Sequence, residues 1–152
     1  MTVLAQNSIR RSRPADTPAV VALLRQAGLP TEDFADAALS VWVLAPDGVV
    51  AGAVALEGGG SETRLLRSLV VSPVHRRSGH AQALVAYAEG EARRQGVEQV
   101  IVLTETAQGF FERLGYVPIE RSAAPRLVQQ SAEFRHLCPV SAVCLAKSLQ
   151  NP

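Results

Sequence analysis

A short basic segment near the middle of the chain has the residue types that hold a phosphate group. Arg76, Gly79 and Ala81 stand in the spacing Arg-x-x-Gly-x-Ala, and a helical pattern of apolar residues begins directly after them. The first turn of a helix leaves about four backbone N–H groups without an internal partner, and the helix dipole makes this end positive. A phosphate or pyrophosphate suits that position, where small residues let it approach the backbone and an arginine grips its oxygens.

The spacing differs from two common phosphate-binding patterns. No Gly-Lys-Ser/Thr follows, which excludes a P-loop, and the first glycine of Gly-x-Gly-x-x-Gly is missing, which excludes the dinucleotide fingerprint. An ordinary tight turn from strand to helix, with its arginines in solvent, is the alternative to an anion site. The elements on either side of the segment favour the anion site, because the pattern needs a strand before it and a helix after it.

The residues before the segment predict a strand that is buried on both faces. The apolar positions are Leu65, Leu66, Leu69, Val70 and Val71. A run this continuous is typical of a fully covered strand, and Pro73, which cannot donate to a sheet ladder, ends it. Arg67 and Ser68 alternate within the strand, so one of them faces the cleft side. A buried arginine needs an anionic partner, which is either an acceptor carboxylate or oxyanion, or a glutamate of the chain itself.

The composition limits the class of protein. The 152 residues are 47% hydrophobic and carry a net charge of +1, which predicts one globular domain and no nucleic-acid or membrane partner. No apolar run approaches the roughly 18 residues of a membrane span, and the first residues show no signal peptide. Two cysteines, Cys138 and Cys144, are too few for a disulfide framework. We expect a cytoplasmic protein, either a monomer or a homodimer.

The periodicity along the chain predicts alternating strands and helices. Strands are expected at 8–13, 40–45, 49–57, 65–72, 97–103, 116–119 and 140–147. Helices are expected at 17–28, at 79–95, at 108–114 and, as a short helix capped by Thr31, in the thirties, with a glycine-rich hairpin tip at 58–61. This order predicts an α/β fold with a mixed sheet.

The strand, loop and helix together resemble the acetyl-CoA pyrophosphate site of the GNAT N-acetyltransferase superfamily. Val71-Ser72-Pro73 and the six residues from Arg76 to Ala81 match its pattern Val-x-Pro followed by Arg/Gln-x-x-Gly-x-Gly/Ala. The run Phe110-Phe111-Glu112-Arg113-Leu114-Gly115-Tyr116 is similar to another stretch of that superfamily. The C-terminal run 131–144, SAEFRHLCPVSAVC, resembles the arsenic-resistance N-acetyltransferase branch.

This resemblance implies a fold and an activity. The fold would be a GNAT-like α/β domain over 1–152, with a core of about 8–149 and a mixed, mostly antiparallel central sheet flanked by helices. The activity would be acetyl transfer from acetyl-CoA, without a metal, to a small-molecule amine such as an amino-acid-like arsenical or phosphinic compound. A common amino acid and a protein N-terminus are alternative acceptors, and a non-catalytic acyl-CoA sensor is an alternative of another class.

The resemblance also assigns candidate site residues. The backbone of Leu69, Val70 and Val71 would bind the pantetheine arm, with the Val71 N–H as a donor to the developing oxyanion. The pyrophosphate would lie against Arg76, Arg77, Ser78, Gly79, His80, Ala81 and Gln82. The acceptor would contact Thr104 and Phe34, although core packing is the favoured explanation for Phe34, and the strand argument above adds Arg67 to these contacts.

Acid–base catalysis is assigned less directly by the same resemblance. Many GNAT enzymes have a tyrosine as general acid at the position of Phe111, which has no proton to give. Glu105, just beyond a predicted strand, is the candidate general base, and its alternative is a solvated charge at the strand end. Thr104 in the matching position would leave a water relay instead. Cys138 and Cys144 invite a thiol–metalloid interpretation, but a free cysteine in an apolar strand is usually a small buried hydrophobe.

Overall fold

The computed structural model describes residues 8–35, 37–58 and 62–150. Its central element is one mixed sheet. Within those residues the strands are β1 (Ile9–Arg11), β2 (Leu39–Leu44), β3 (Gly52–Glu57), β4 (Thr63–Val71), β5 (Gln99–Thr104), β6 (Val117–Ile119) and β7 (Val143–Ser148). Their order across the sheet is β1-β2-β3-β4-β5-β7-β6. The β4–β5 pair is parallel and the others are antiparallel, so the predicted mixed, mostly antiparallel sheet is confirmed.

Helices cover both faces of the sheet. They are α1 (Thr17–Gln26), α2 (His80–Arg94), α3 (Gln108–Arg113) and α4 (Arg126–Gln129). On one face Leu84 and Ala88 of α2 pack in the same cluster as Trp42 of β2. On the other face Val20 and Leu24, four residues apart on one side of α1, pack in a second cluster. Among the described residues no helix is long and apolar enough to cross a membrane.

Strand β4 lies in the middle of the sheet and contributes to both clusters. Leu66 and Val71 pack in the cluster with α2, whereas Val70 packs in the cluster with α1. This two-sided burial explains why apolar residues follow one another in β4 with little alternation, and it confirms the predicted buried strand.

An irregularity in β4 separates its two halves. Ala55 of β3 pairs with Arg67, but Ala53 pairs with Val70, so two residues of β4 lie opposite one of β3. Within this β-bulge Ser68 has φ +58°, a left-handed conformation that non-glycine residues seldom adopt. The pairing of β4 with β5 ends at Leu66↔Val102, although both strands continue. The strands therefore part beyond this point and leave an opening at the middle of the sheet.

Some local predictions were wrong. The short helix capped by Thr31 is absent, and residues 32–35 form turns that lead toward β2. Thr17 is the first residue of α1 rather than a side-chain cap, because a 3-10 helix, Pro14–Asp16, precedes it. The region 121–137 contains short helices that no periodicity indicated. Of the predicted hairpin tip at 58–61, residues 59–61 lie outside the described part of the chain.

Candidate active site

A cavity of about 250 Å³ opens where β4 and β5 part. Its lining includes Arg67, Ser68 and Leu69 of β4, Thr104 of β5, Phe111 of α3, and Glu133 and Cys138 from the segment before β7. A second cavity, of about 410 Å³, shares Thr104 and Cys138 with the first and extends past Glu32 and Glu105 toward the surface. The two cavities thus form one cleft that reaches from solvent to the bulge in β4.

The backbone of Val71 turns toward this opening. The Ser72 N–H donates to the Ala51 carbonyl at 2.7 Å, which places Ser72 on the side of β3. Successive residues of a strand direct their N–H and C=O groups to opposite sides, so those of Val71 point away from β3. The Val71 carbonyl accepts a hydrogen bond from Nε of Arg76 at 3.0 Å, in agreement with that direction. The Val71 N–H is therefore left on the side where β5 has departed.

The loop after β4 is a 3-10 helix, Pro73–Ser78, followed by Gly79 and the start of α2. Gly79 has φ +72°, and a Cβ there would meet no atom within 4 Å. Its glycine is thus required by backbone conformation, while the space above it stays open for a ligand. The helix that begins at His80 directs the N–H groups of its first turn into that space.

Two histidines hold the loop together. Oγ of Ser72 and Nδ1 of His75 are 2.9 Å apart, and Nδ1 of His80 donates to the His75 carbonyl at 2.8 Å. Together with the Arg76 bond to β4, these contacts fix the loop against the strand end. Arg76 is thereby bound to β4 through its Nε, although the residue as a whole is exposed.

The remaining residues of the predicted pyrophosphate site lie around the same point. Ala81 is half-buried against the cluster on α2's side of the sheet, and Gln82 is exposed. The backbone of Arg77 and Ser78 belongs to the 3-10 helix, and their side chains lie outside the described part of the structure.

The backbones of β3 and β4 approach each other closely beside Val70. A Cβ on Gly52 of β3 would stand 2.8 Å from the Val70 carbonyl oxygen and 3.3 Å from Cδ1 of Leu84. Any side chain at position 52 would push β4 away from β3. The glycine therefore fixes where Val70 and Val71 lie relative to the opening.

An ion cluster lies at the other end of the cavity. The Arg67 side chain is fully buried and its guanidinium binds Asp33 through two hydrogen bonds, of 2.6 and 2.7 Å. The same guanidinium donates to Glu57 at 2.9 Å, and its Nε lies 3.0 Å from Oε2 of Glu133. Oε1 of Glu133 accepts from the Cys138 thiol at 3.7 Å. Three carboxylates thus surround one arginine, and the cluster carries more negative than positive charge when all are ionised.

The cluster shifts the protonation of its members. Burial, together with the charges of Asp33 and Glu57, raises the pKa of Glu133 to about 7, although Arg67 opposes the rise. The hydrogen bonds from Arg67 lower the pKa of Asp33 despite its partial burial. Burial and the neighbouring Glu133 carboxylate raise the pKa of Cys138 to about 12, so its thiol stays protonated. Glu133 is thus the member of this cluster that can exchange a proton near neutral pH.

These contacts bear on the two interpretations of Arg67. Its terminal nitrogens donate to Asp33 and Glu57, and its Nε donates to Oγ of Ser68 at 3.3 Å and lies 3.0 Å from Oε2 of Glu133. The geometry matches the alternative given above, in which the arginine pairs with acidic groups of the chain itself. An acceptor carboxylate would have to displace one of them to reach the guanidinium.

The other predicted catalytic and acceptor residues are dispersed. Glu105 is exposed and lines the outer cavity, not the inner one. Thr104 lines both cavities, and its Oγ1 accepts from the Ala107 N–H at 2.9 Å, which orders the start of α3. Phe34 packs in the cluster with α1 and is not among the described residues that line either cavity, so core packing explains it.

Phe111 stands where the resemblance expects a hydroxyl group. It is buried, lines the inner cavity, and makes edge-to-face contacts with Phe110 and Tyr116 at 5.1 and 5.3 Å between ring centroids. The nearby Tyr116 hydroxyl donates to Glu89 at 2.8 Å, and Lys147 neutralises that carboxylate at 3.0 Å. Burial and Glu89 raise the pKa of Tyr116, so its proton is committed to a structural hydrogen bond.

Glu133 was missed as a functional candidate by the sequence analysis. It stands in the C-terminal run that carried the resemblance, but a single glutamate between Ala132 and Phe134 has no local signal of burial. Asp33 and Glu57 were missed for the same reason, since they lie 34 and 10 residues from Arg67 in the chain.

Comparison with known proteins assigns a family to this arrangement of parted strands, loop and helix start. The acetyltransferase (GNAT) domain family matches residues 37–118, more than half of the chain, and the chain belongs to that family. An uncharacterized N-acetyltransferase of Chlorobaculum tepidum is 35% identical over 79 residues, which are 52% of this chain and 48% of that protein. The matched stretch therefore spans about half the length of this relative.

Two solved structures share the fold over almost the whole chain. N-acetylglutamate synthase from Neisseria gonorrhoeae, complexed with coenzyme A and N-acetyl-glutamate, has a TM-score of 0.79 at 20% identity. The match covers 95% of this chain and 35% of the synthase, so only part of that protein corresponds. Rv2747 from Mycobacterium tuberculosis, in complex with CoA and NLQ, has a TM-score of 0.76 at 25% identity, and the match covers 93% and 99% of the two chains.

Proposed function

We propose that the protein is an acetyl-CoA-dependent N-acetyltransferase that acetylates the amine of a small molecule by direct attack in a ternary complex. The observation that carries the proposal is the opening between β4 and β5, beside which lie a Val71 N–H turned away from β3, the loop before α2 and an inner cavity. Membership of the GNAT family and CoA-bound structural neighbours support it.

In the proposed complex the pantetheine arm enters the gap beside Leu69, Val70 and Val71. Its pyrophosphate lies at the N-terminus of α2, where backbone N–H groups and the helix dipole favour an anion. The thioester carbonyl then faces the Val71 N–H, and one such donor to a developing oxyanion can contribute roughly 3 kcal/mol of transition-state stabilisation.

The leaving group of this reaction reduces the need for a general acid. A thiol has a pKa near 8.5, so the CoA thiolate leaves without full protonation in the transition state. Phe111 excludes water from the inner cavity rather than supplying a proton. Loss of a general acid would then remove only part of the roughly 10²–10⁴ that acid–base catalysis contributes.

The acceptor is proposed to be a small amino-acid-like amine. The surplus of carboxylates around Arg67 attracts an ammonium group, and a cleft closed at its inner end by β4 favours a small molecule over a protein chain. Amino-acid-like arsenical and phosphinic compounds belong to this class, and the C-terminal run supports including them. A common amino acid or a protein N-terminus is the alternative acceptor.

A second candidate, a non-catalytic acyl-CoA sensor, is favoured by the phenyl ring of Phe111 at the expected acid position. Turnover distinguishes the two functions. Release of CoA from acetyl-CoA is measured with a thiol reagent against amino acids, polyamines, N-terminal peptides, and glutamate-like phosphinic and arsinic amines. We expect turnover with at least one small amine, whereas binding of acetyl-CoA without turnover on any of them would assign the sensor function.

The cofactor site is tested separately with a matched pair of glycines. Gly79 and Gly96, which precedes β5 just after the end of α2, both have left-handed φ values, +72° and +81°, and open surroundings. Alanine at either position should cost about 1–2 kcal/mol of folding stability. Only Gly79→Ala should also weaken acetyl-CoA binding in a calorimetric titration. Equal binding by both variants would contradict the placement of the pyrophosphate.

A further inference from the structure

We propose that Glu133 is the catalytic base of this enzyme and takes the proton from the ammonium group of the acceptor. The inference rests on the proposed function and adds a residue to its site. Glu133 belongs to a π-helical turn, Glu133–Leu137, in the segment between β6 and β7, and not to the strands that frame the cofactor. It is the carboxylate among the described residues that line the inner cavity.

The position of Glu133 suits a reaction at the bulge. Its side chain is only 6% exposed, and it borders the same cavity as Ser68, Leu69 and Phe111. An amine that attacks a thioester held beside β4 has to stand in this cavity. Glu105, by comparison, lines only the outer cavity and is exposed to solvent.

Arg67 acts as a positioning residue for Glu133. Asp33 and Glu57 hold the two terminal nitrogens of the guanidinium, and its Nε donates to Oγ of Ser68 at 3.3 Å and forms an ion pair with Oε2 of Glu133 at 3.0 Å. The fixed arginine orients one carboxylate oxygen, while the other lies toward Cys138 at the cavity wall. The guanidinium also keeps the ionised form of a buried carboxylate accessible, since an isolated buried charge would be too costly.

The charges around Glu133 determine the pH range in which it can accept a proton. Arg67 of β4 faces it with positive charge, Asp33 before β2 and Glu57 of β3 with negative charge, and the Cys138 thiol is neutral. His136 lies close enough to Asp33 to act on it, and Arg121 acts on Cys138. The resulting pKa of about 7 meets the requirement that a general base titrate near the working pH.

The proposed step balances in protons and bonds. The acceptor ammonium gives one proton to the Glu133 carboxylate, and the neutral amine attacks the thioester carbon. Collapse of the tetrahedral adduct breaks the C–S bond, and the proton on the new amide nitrogen passes to the departing CoA thiolate. Glu133 then releases its proton to solvent, so the overall reaction yields amide, CoA thiol and one proton.

The test is the pH profile of acceptor kcat/KM at saturating acetyl-CoA. It uses two acceptors that turn over in the panel and differ in amine basicity, such as L-glutamate and its α-amide. The wild-type profile should contain a limb near pH 7 that is common to both acceptors, besides one that moves with the amine. In Glu133→Gln that common limb should disappear and kcat fall roughly 10²- to 10⁴-fold, with unchanged acetyl-CoA affinity.

Two further variants distinguish a loss of catalysis from a folding defect. Glu133→Asp keeps a carboxylate and should retain a common limb with partial activity, and Glu120→Gln makes the same chemical change at an exposed position outside the cleft. An active wild type with unchanged kcat and limb in Glu133→Gln overturns the inference alone. Loss of the limb in Glu105→Gln, with its retention in Glu133→Gln, overturns it in favour of Glu105. An inactive wild type refutes the proposed function and the inference together.

Discussion

Replacing Glu133 by glutamine should stabilise the free protein above pH 7 and have a much smaller effect near pH 5. Burial and neighbouring carboxylates raise the pKa of Glu133 from the ordinary 4.5 to about 7 in the folded state. Between these values the folded chain keeps a proton that the unfolded chain has released. Stability therefore falls as pH rises through this window, because the unfolded state binds fewer protons.

The size of the effect follows from the shift. Each pKa unit corresponds to about 1.4 kcal/mol, so ionising Glu133 costs the folded state about 3 kcal/mol once the pH is above 7. The attraction of Arg67 is already contained in this figure, since it opposes the rise in pKa. Glutamine has a similar shape and no charge, so the variant does not have this free-energy cost of ionisation. About 3 kcal/mol is a large part of the 5–15 kcal/mol that stabilises an ordinary domain.

The assay is urea unfolding at pH 5, 6, 7 and 8, followed by the fluorescence of Trp42. This residue is the one tryptophan of the sequence and is 2% exposed, so its emission reports loss of the core. The advantage of Glu133→Gln over wild type should grow from about 1 kcal/mol at pH 5 to about 3 kcal/mol at pH 8. Glu120→Gln, at an exposed position, should follow the wild-type curve. A pH-independent difference, or a less stable Glu133→Gln at pH 8, would refute the reasoning.

Three further changes have defined outcomes. Arg67→Met leaves three carboxylates without a counter-charge and should cost about 3–5 kcal/mol at pH 8, and less at pH 5, in urea unfolding. Gly52→Ala should weaken acetyl-CoA binding in a calorimetric titration, because its Cβ would stand 2.8 Å from the Val70 carbonyl oxygen. Tyr116→Phe removes the hydrogen bond to buried Glu89 and should cost about 1.5–3 kcal/mol in thermal unfolding.

Each of these changes has a control and a contrary result. Gly90→Ala lies within α2, where a Cβ meets nothing within 4 Å, and should raise stability by about 0.5–1 kcal/mol without changing acetyl-CoA affinity. Unchanged affinity in Gly52→Ala would show that β4 tolerates the displacement. Tyr87→Phe is the control for the Tyr116 change. Equal losses of stability in the two variants would mean that the hydrogen bond to Glu89 contributes little. A pH-independent loss in Arg67→Met would mean that lost packing, not unbalanced charge, destabilises it.

The sequence predicted those parts of the fold that local chemistry determines. The apolar run 65–71, the proline after it and the glycine before α2 each act within a few residues, and the structure places β4, the loop and α2 accordingly. The helix expected at 79–95 is observed as His80–Arg94, because Gly79 and Gly96 terminate it at both ends. The predicted sheet class also followed from the order of these elements.

The ion cluster around Arg67 was beyond local inference. Asp33 lies in a turn, Glu57 at the end of a strand, and Glu133 in a π-helical turn, and no spacing in the chain links them. They meet because α1 and the segment before β7 cover the same side of β4. Only the fold brings these carboxylates to Arg67, so the sequence could state that the arginine needs an anion but not which one.

The extra residue in β4 changes which side chains share a face of the sheet. Before the bulge Leu66 points toward α2's side and Arg67 toward the other, whereas after it Val70 lies with α1 and Val71 with α2. In a strand of strict alternation Arg67 and Val71 would lie on the same face. In β4 the side chains before and after the bulge at Ser68 therefore alternate between the two faces in opposite phase. Deleting one of the two bulge residues would restore strict alternation and keep Val70 and Val71 on their present faces and in their present register with β3, but it would remove the bulge beside which the pairing with β5 ends. We therefore expect such a deletion to preserve the packing of the downstream half of β4 and to close the opening between β4 and β5.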